Sequence, residues 1–167
     1  MTVSSHQRKL LTTAVDSSAA DLLRFLQRRV RPDDAADLLG ETMVIAWRRV
    51  ADLPDDEVGA RMWLFGLARG TLLNHSRGER RRWALAEKLR IHSVAEATYR
   101  PADDGDEVRD AIAQLKPELA EVVQLVHWEG FSLAEAALVI GIPASTARGR
   151  YARAKDELRL ALAAAAV

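Results

Sequence analysis

Residues 132–159 read SLAEAALVIGIPASTARGRYARAKDELR, and the fold turns on this stretch. Ser132 and Glu135 form an S-x-x-E pair, which caps a helix N-terminus through reciprocal hydrogen bonds. Leu133, Ala136, Ala137 and Ile140 follow at i, i+3, i+4 and i+7, a complete inward-facing stripe. Gly141-Ile142-Pro143 makes a tight turn, and proline suits the first position of the next helix, where its missing N–H would be unpaired anyway. Ala147, Tyr151, Ala154 and Leu158 mark the buried side of that second helix. The spacing predicts a helix-turn-helix.

The outer side of the second helix is unusual. At about 100° per residue it falls on Ser145, Gly149, Ala152 and Asp156. Arg148, Lys155 and Arg159 flank this ridge on one side, and Thr146, Arg150 and Arg153 on the other. A ridge of small residues between basic flanks suits a helix lying deep in a major groove: the flanks meet phosphates or guanine edges while the ridge lets the backbone approach. Gly149 costs the helix about 1 kcal/mol relative to alanine, a cost offset where close approach matters. The plain alternative is a solvated helix with a basic face. Cap, turn and stripe together favour DNA binding.

Toward the N-terminus the helical period persists. Val108, Ala111, Ile112 and Leu115 share a face, Lys116-Pro117 opens a helix carrying Leu119, Val122, Val123 and Val126, and Gly130 is its expected left-handed stop. Residues 91–106, with Pro101 and Asp103-Asp104-Gly105-Asp106, lack a period and read as a linker spanning roughly 20–25 Å as a flexible coil. Before it, a helix is expected over Ser17–Val30, with Ser18 and Asp21 as its capping pair. A second runs from Pro32-Asp33-Asp34 to about Val50, with Ala36, Leu39, Met43, Ala46 and Val50 on its apolar face. After the acidic loop Leu53–Gly59, a third runs from about Ala60 past Arg82. Its first half (Met62, Trp63, Leu64, Phe65, Leu67, Leu72, Leu73) should be buried, and its second half turns basic. The expected fold is all-α, with small helical domains at residues 1–90 and 107–167.

Composition bounds the function. The chain has 167 residues, no cysteine and a formal net charge of zero. Disulfides and thiolate metal sites are excluded, in keeping with a reducing cytoplasm. Met1–Lys9 does not read as a secretory signal, and Leu160–Val167, the longest apolar run, is too short for a bilayer. Zero net charge hides segregation. Residues 33–57 carry Asp33, Asp34, Asp37, Glu41, Asp52, Asp55, Asp56 and Glu57 against Arg48 and Arg49. Residues 61–90 carry Arg61, Arg69, Arg77, Arg80, Arg81, Arg82, Lys88 and Arg90 against Glu79 and Glu87. Two surfaces with different partners are implied. His6, His75, His92 and His127 show no metal-binding spacing, and no phosphate loop or nucleophile motif occurs, so neither enzyme, metal site nor cofactor is expected.

Two separated blocks resemble a known family. Asp34–Thr42 with Ala46-Trp47-Arg48-Arg49, then Ala60–Arg69 with Asn74-His75 and Arg77, resemble the second conserved region of bacterial sigma factors. Leu115-Lys116-Pro117, Trp128–Ser132 and Gly141–Arg150 resemble the fourth. Both regions in order, joined by a short linker with no third region, form the minimal layout of the extracytoplasmic-function group.

The resemblance implies RNA polymerase core (its clamp helices and flap) and promoter DNA as partners, with an anti-sigma protein as a further candidate. It places Asp37, Leu38, Glu41, Thr42 and Trp47 at the polymerase, with Trp47 equally readable as core and Trp63 as core. It places Asn74, His75, Arg77, Arg80, Arg81 and Arg82 at the minus-10 element, and Ser145, Thr146, Arg148, Gly149, Arg150 and Arg153 at the minus-35 element. The loop Leu53–Gly59 matches one that captures a flipped base, although it has no aromatic residue to stack on. Asn74 where Asp is common, Gly70 where Asn is common and Pro143 for a capping Ser leave promoter preference open. Two other readings stand beside it: a regulator binding duplex DNA through residues 132–159 alone, and a helical adaptor for an acidic protein.

Overall fold

The computed structural model describes residues 5–88 and 106–165, all in helices and the short connections between them, with no strand among the described residues. Contacts divide the chain into two units, Met1–Ser93 and Val94–Val167. Most of the expected linker, residues 91–105, lies outside the described residues.

In the first unit, α1 (Ser5–Gln27), α2 (Pro32–Arg48) and α3 (Glu57–Lys88) pack against one another pairwise, with a 3₁₀ turn at Val50–Asp52. Helix α1 begins at Ser5, well before the expected Ser17, and Ser18 is a buried mid-helix residue, not a cap. Its hydroxyl-bearing residues are accommodated by back-bonding: Thr12 Oγ1 donates to the Arg8 carbonyl at 2.9 Å and Ser17 Oγ to that of Ala14 at 3.1 Å. Helix α2 starts as expected at Pro32, with Arg31 in the extended conformation that proline imposes on its predecessor. Asp33 and Asp34 in the first turn complement the helix dipole. The buried face of α2 is Ala35, Leu38, Thr42 and Ala46; Ala46, and Val50 just after the helix, are buried as expected, while the first three stand one residue before the expected Ala36, Leu39 and Met43. Helix α3 starts earlier than Ala60 because Asp56 caps it, its Oδ1 accepting from the Gly59 N–H at 2.7 Å.

The core of this unit is Leu11, Leu22, Phe25 and Leu26 of α1, Leu38 and Ala46 of α2, and Leu64, Phe65, Ala68 and Leu72 of α3. Phe25 meets Phe65 edge-to-face, ring centroids 5.3 Å apart. Trp63 is only half-buried and Leu73 is exposed, so the first half of α3 is not buried all round.

In the second unit, α4 (Asp106–Gln114), α5 (Pro117–His127) and α6 (Leu133–Ile140) pack on α7 (Ala144–Ala165). Ile112, Leu115, Leu119, Ala120, Val123 and Ala154 form its centre, flanked by Trp128, Tyr151 and Leu158. The capping box forms as read: Glu135 N–H donates to Ser132 Oγ at 3.2 Å, and Ser132 N–H to Glu135 Oε2 at 2.7 Å. Gly141 ends α6 at φ 79°, and the Gly141 and Ile142 N–H groups both donate to the Ala137 carbonyl, at 2.8 and 3.0 Å. Gly130 is likewise left-handed, at φ 75°. Pro143 sits one place earlier than expected: its carbonyl accepts from Ala147 N–H, so it is the N-cap of α7. Val108, expected inside, is exposed.

Phe65 is fully buried, so Phe65→Ala should cost about 3–5 kcal/mol, a large part of the stability of so small a unit. Urea unfolding of the intact chain checks this, and a loss under about 1 kcal/mol would mean that the core is not seated on this ring.

Candidate nucleic-acid interface

Helix α7 presents the surface that the spacing implied. Ala147 and Ala154 are buried and Tyr151 and Leu158 half-buried, which turns Ser145, Gly149, Ala152 and Asp156 to solvent. Ser145, Thr146, Arg148 and Arg153 are exposed and Arg150 is partly so. The distal cations of this helix are already engaged. Arg159 Nη1 donates to Asp156 Oδ1 at 2.8 Å, and the Lys155 ammonium lies 5.1 Å from the Tyr151 ring centroid. Among the described residues Arg148, Arg150 and Arg153 make no ion pair. The charge available to an anionic ligand is therefore concentrated in the first three turns. His127 carries no such role: its Nε2 lies 2.9 Å from the Tyr151 hydroxyl and its ring stacks on Tyr151.

The second half of α3 exposes Asn74, Arg77, Arg80, Arg81 and Arg82. None of these arginines makes an ion pair among the described residues. His75 departs from the expectation. The buried stripe Leu64, Ala68, Thr71 and Leu72 continues at helical spacing to His75 and Glu79, so the imidazole turns toward α2 and its side chain is only 16% exposed. Its Nε2 stands 4.0 Å from Asp34 Oδ2 and 3.8 Å from Glu79 Oε2.

On α2, Asp37, Glu41, Val44 and Trp47 share the exposed face. Trp47 is 54% exposed and Val44 49%, which settles Trp47 as a surface residue. They border a groove of about 450 Å³ between α1 and α2, lined also by Leu11, Val15, Met43 and Arg48. The sequence pattern did not show this groove, although Val44 one turn beyond Glu41 on an acidic face was its visible trace. Leu38 and Thr42, expected at the same surface, are instead buried. Thr42 Oγ1 donates to the Leu38 carbonyl at 2.7 Å and lies 3.1 Å from Thr71 Oγ1, which donates to the Ala68 carbonyl at 2.8 Å. Thr42 is thus a polar contact between α2 and α3, and it supports the outer face from beneath. Beside the loop before α3, a cavity of about 230 Å³ is lined by Thr13, Ser17, Pro54 and Asp55, with no aromatic residue in its wall.

Comparison with known proteins agrees with these two helical units. The chain matches the sigma-70 region 2 family over residues 14–82 and sigma-70 region 4 over residues 105–158. It is 31% identical to the ECF RNA polymerase sigma factor SigL of Mycobacterium tuberculosis over 159 residues, covering 92% of this chain and 89% of that one. It is 30% identical to SigC of the same species, over 90% of this chain and 82% of the relative. Among solved structures, the sigma factor RpoE of Bartonella quintana, in complex with the anti-sigma factor NepR, shares the fold: TM-score 0.61, 23% identity, 94% of this chain and 91% of that one. The chain belongs to the sigma-70 family and, within it, to the extracytoplasmic-function sigma factors of RNA polymerase. A regulator acting through residues 132–159 alone would not carry region 2.

Two hydroxyl protons serve three contacts at Thr42 and Thr71, so one contact is held without its own proton. Thr42→Val leaves Thr71 its bond to Ala68, and the loss should be about 1 kcal/mol. Denaturant unfolding with an unchanged m-value is the expected result, and a loss of several kcal/mol would make the threonine pair a keystone of the packing.

Proposed function

We propose that the chain joins RNA polymerase core as a non-catalytic subunit and sets its start site at promoters read through two separate surfaces. The first three turns of α7 enter the major groove of the minus-35 element. Ser145, Gly149 and Ala152 form the close-approach ridge, while Thr146, Arg148, Arg150 and Arg153 on its flanks meet phosphates and base edges. Asn74, Arg77, Arg80, Arg81 and Arg82 of α3 line the track for the strand opened at the minus-10 element. Asp37, Glu41 and Trp47, with Val44, form the face of α2 that docks on the polymerase clamp helices; the second unit meets the flap.

The observation that carries this reading is the concentration of exposed arginines without ion pairs at two places, one in each family region. An anti-sigma protein, as RpoE of Bartonella quintana has in NepR, would inhibit by covering the apolar groove beside Trp47. No helix among the described residues is long and apolar enough to cross a membrane, and the work proposed is cytoplasmic.

The experiment is reconstitution with core polymerase. Specific run-off transcripts from a cognate promoter are expected only when the protein is present. Tight duplex binding without core, and transcription indifferent to the protein across genomic promoters, would refute the proposal.

Two kinds of variant resolve the DNA surfaces. A Cβ at Gly149 would meet nothing within 4 Å, so Gly149→Ala should stabilise the free protein by up to about 1 kcal/mol while weakening binding to the upstream element. Arg148→Ala and Arg80→Ala should each lower affinity for their own element and reduce its salt slope by about 1. Unchanged affinity in all three variants would remove these assignments.

A further inference from the structure

Asp34, His75 and Glu79 converge in the first unit, each offering a ligand atom within 4.8 Å of the other two. Asp34 comes from the first turn of α2; His75 and Glu79 stand one helical turn apart on α3. The His75 Nε2 atom is shielded from solvent and has no hydrogen-bond partner. At 3.8 and 4.0 Å, both carboxylates are too far for a hydrogen bond, yet both carboxylate oxygens face the nitrogen. A buried nitrogen without a partner is costly, and something of opposite chemistry must usually satisfy it.

We propose that these three residues form a binding site for one divalent transition-metal ion, best Zn²⁺. Zn²⁺ takes imidazole nitrogen at about 2.0–2.1 Å and carboxylate oxygen at about 2.0–2.2 Å, which sets tetrahedral ligand atoms about 3.3–3.5 Å apart. The two distances from His75 Nε2 exceed this by about half an ångström and the carboxylates lie within 4.8 Å of each other, gaps that rotamer adjustment of the Asp34 and Glu79 side chains, 36% and 47% exposed, can close. Their exposure also gives the ion a path in. A neutral imidazole with two carboxylates favours Zn²⁺ or its transition-metal neighbours over Mg²⁺ and Ca²⁺, which prefer all-oxygen shells. With three protein ligands, water fills the fourth position. The ion would fasten the start of α2 to α3 at the beginning of its basic segment, with Glu79 standing between Arg77 and Arg80. This site does not depend on the promoter reading.

The test uses the full chain, stripped with a chelator and titrated with Zn²⁺ alone against a chromophoric competitor. One ion per chain should bind, and Co²⁺ in its place should give the visible absorption of a four- or five-coordinate site. Thermal unfolding should shift upward with Zn²⁺. His75→Ala should abolish both effects. Glu79→Gln, at a half-exposed helical position that does not threaten folding, should weaken binding by more than the roughly 10–100-fold typical of losing even an outer-shell partner. The proposal falls if the wild-type chain binds no ion, or if Glu79→Gln, folded by circular dichroism, binds Zn²⁺ as tightly as wild type.

Discussion

The seat of α3 against α1 and α2 governs the first unit. Helix α3 has 32 residues, so it is about 48 Å long, far more than two neighbours can cover. Leu64, Phe65 and Ala68 lock its first half into the core, with Phe65 held edge-on by Phe25. Because an α-helix is stiff and its register cannot slip once those side chains are packed, the burial of one half fixes the bearing of every residue in the other. Asn74, Arg77, Arg80 and Arg81 lie away from the inward stripe and reach solvent; His75 lies on it and does not. The arginines are held in place by a core that they never touch.

The same logic runs through α7. Its inward positions are two alanines, a tyrosine and a leucine, and Ala147 and Ala154 let the helix sit close on α5 and α6. The left-handed Gly141 and the N-cap Pro143 set the angle at which the chain enters it. What remains outside is decided by exclusion. Asp156 draws Arg159 aside and Tyr151 draws Lys155, so the cations left to a phosphate backbone belong to the early turns, where a recognition helix usually meets DNA.

Legibility in the sequence followed how local each signal was. The capping box, the left-handed Gly130, the turn at Gly141 and the stripe of α6 are short-range patterns, and each occurs where its residues predict it. Helix α1 was legible only in part because Thr12, Ser17 and Ser18 are turn and cap residues by habit; here the first two bond back to their own helix and the third is buried. The one-residue error on α2 has a single source: Thr42 is polar and fully buried, so a hydrophobic pattern passes over the position that defines the inner face. Leu38 then follows it inward. The juxtaposition of Asp34 with His75 and Glu79 had no sequence signature at all, because it exists only once α2 packs on α3.

Zero net charge is the weakest guide to this chain, and the reason is screening. At physiological salt, exposed charges more than about 8 Å apart are largely hidden from each other, so a ligand responds to the few charges near it and not to the total. The acidic residues of α2 and of the loop after it cancel the arginines of α3 in a sum, but not at any point where a strand of DNA or a basic protein helix would lie. Both kinds of partner can therefore be served by one small neutral protein, provided that folding keeps the two signs on different faces. The stripe that buries Ala35, Leu38, Thr42 and Ala46 does that for α2: by turning these four inward it leaves Asp37 and Glu41 outward. The two signs are already separated along the sequence, in α2 with the loop after it and in α3, and packing keeps the acidic side chains of α2 at the surface.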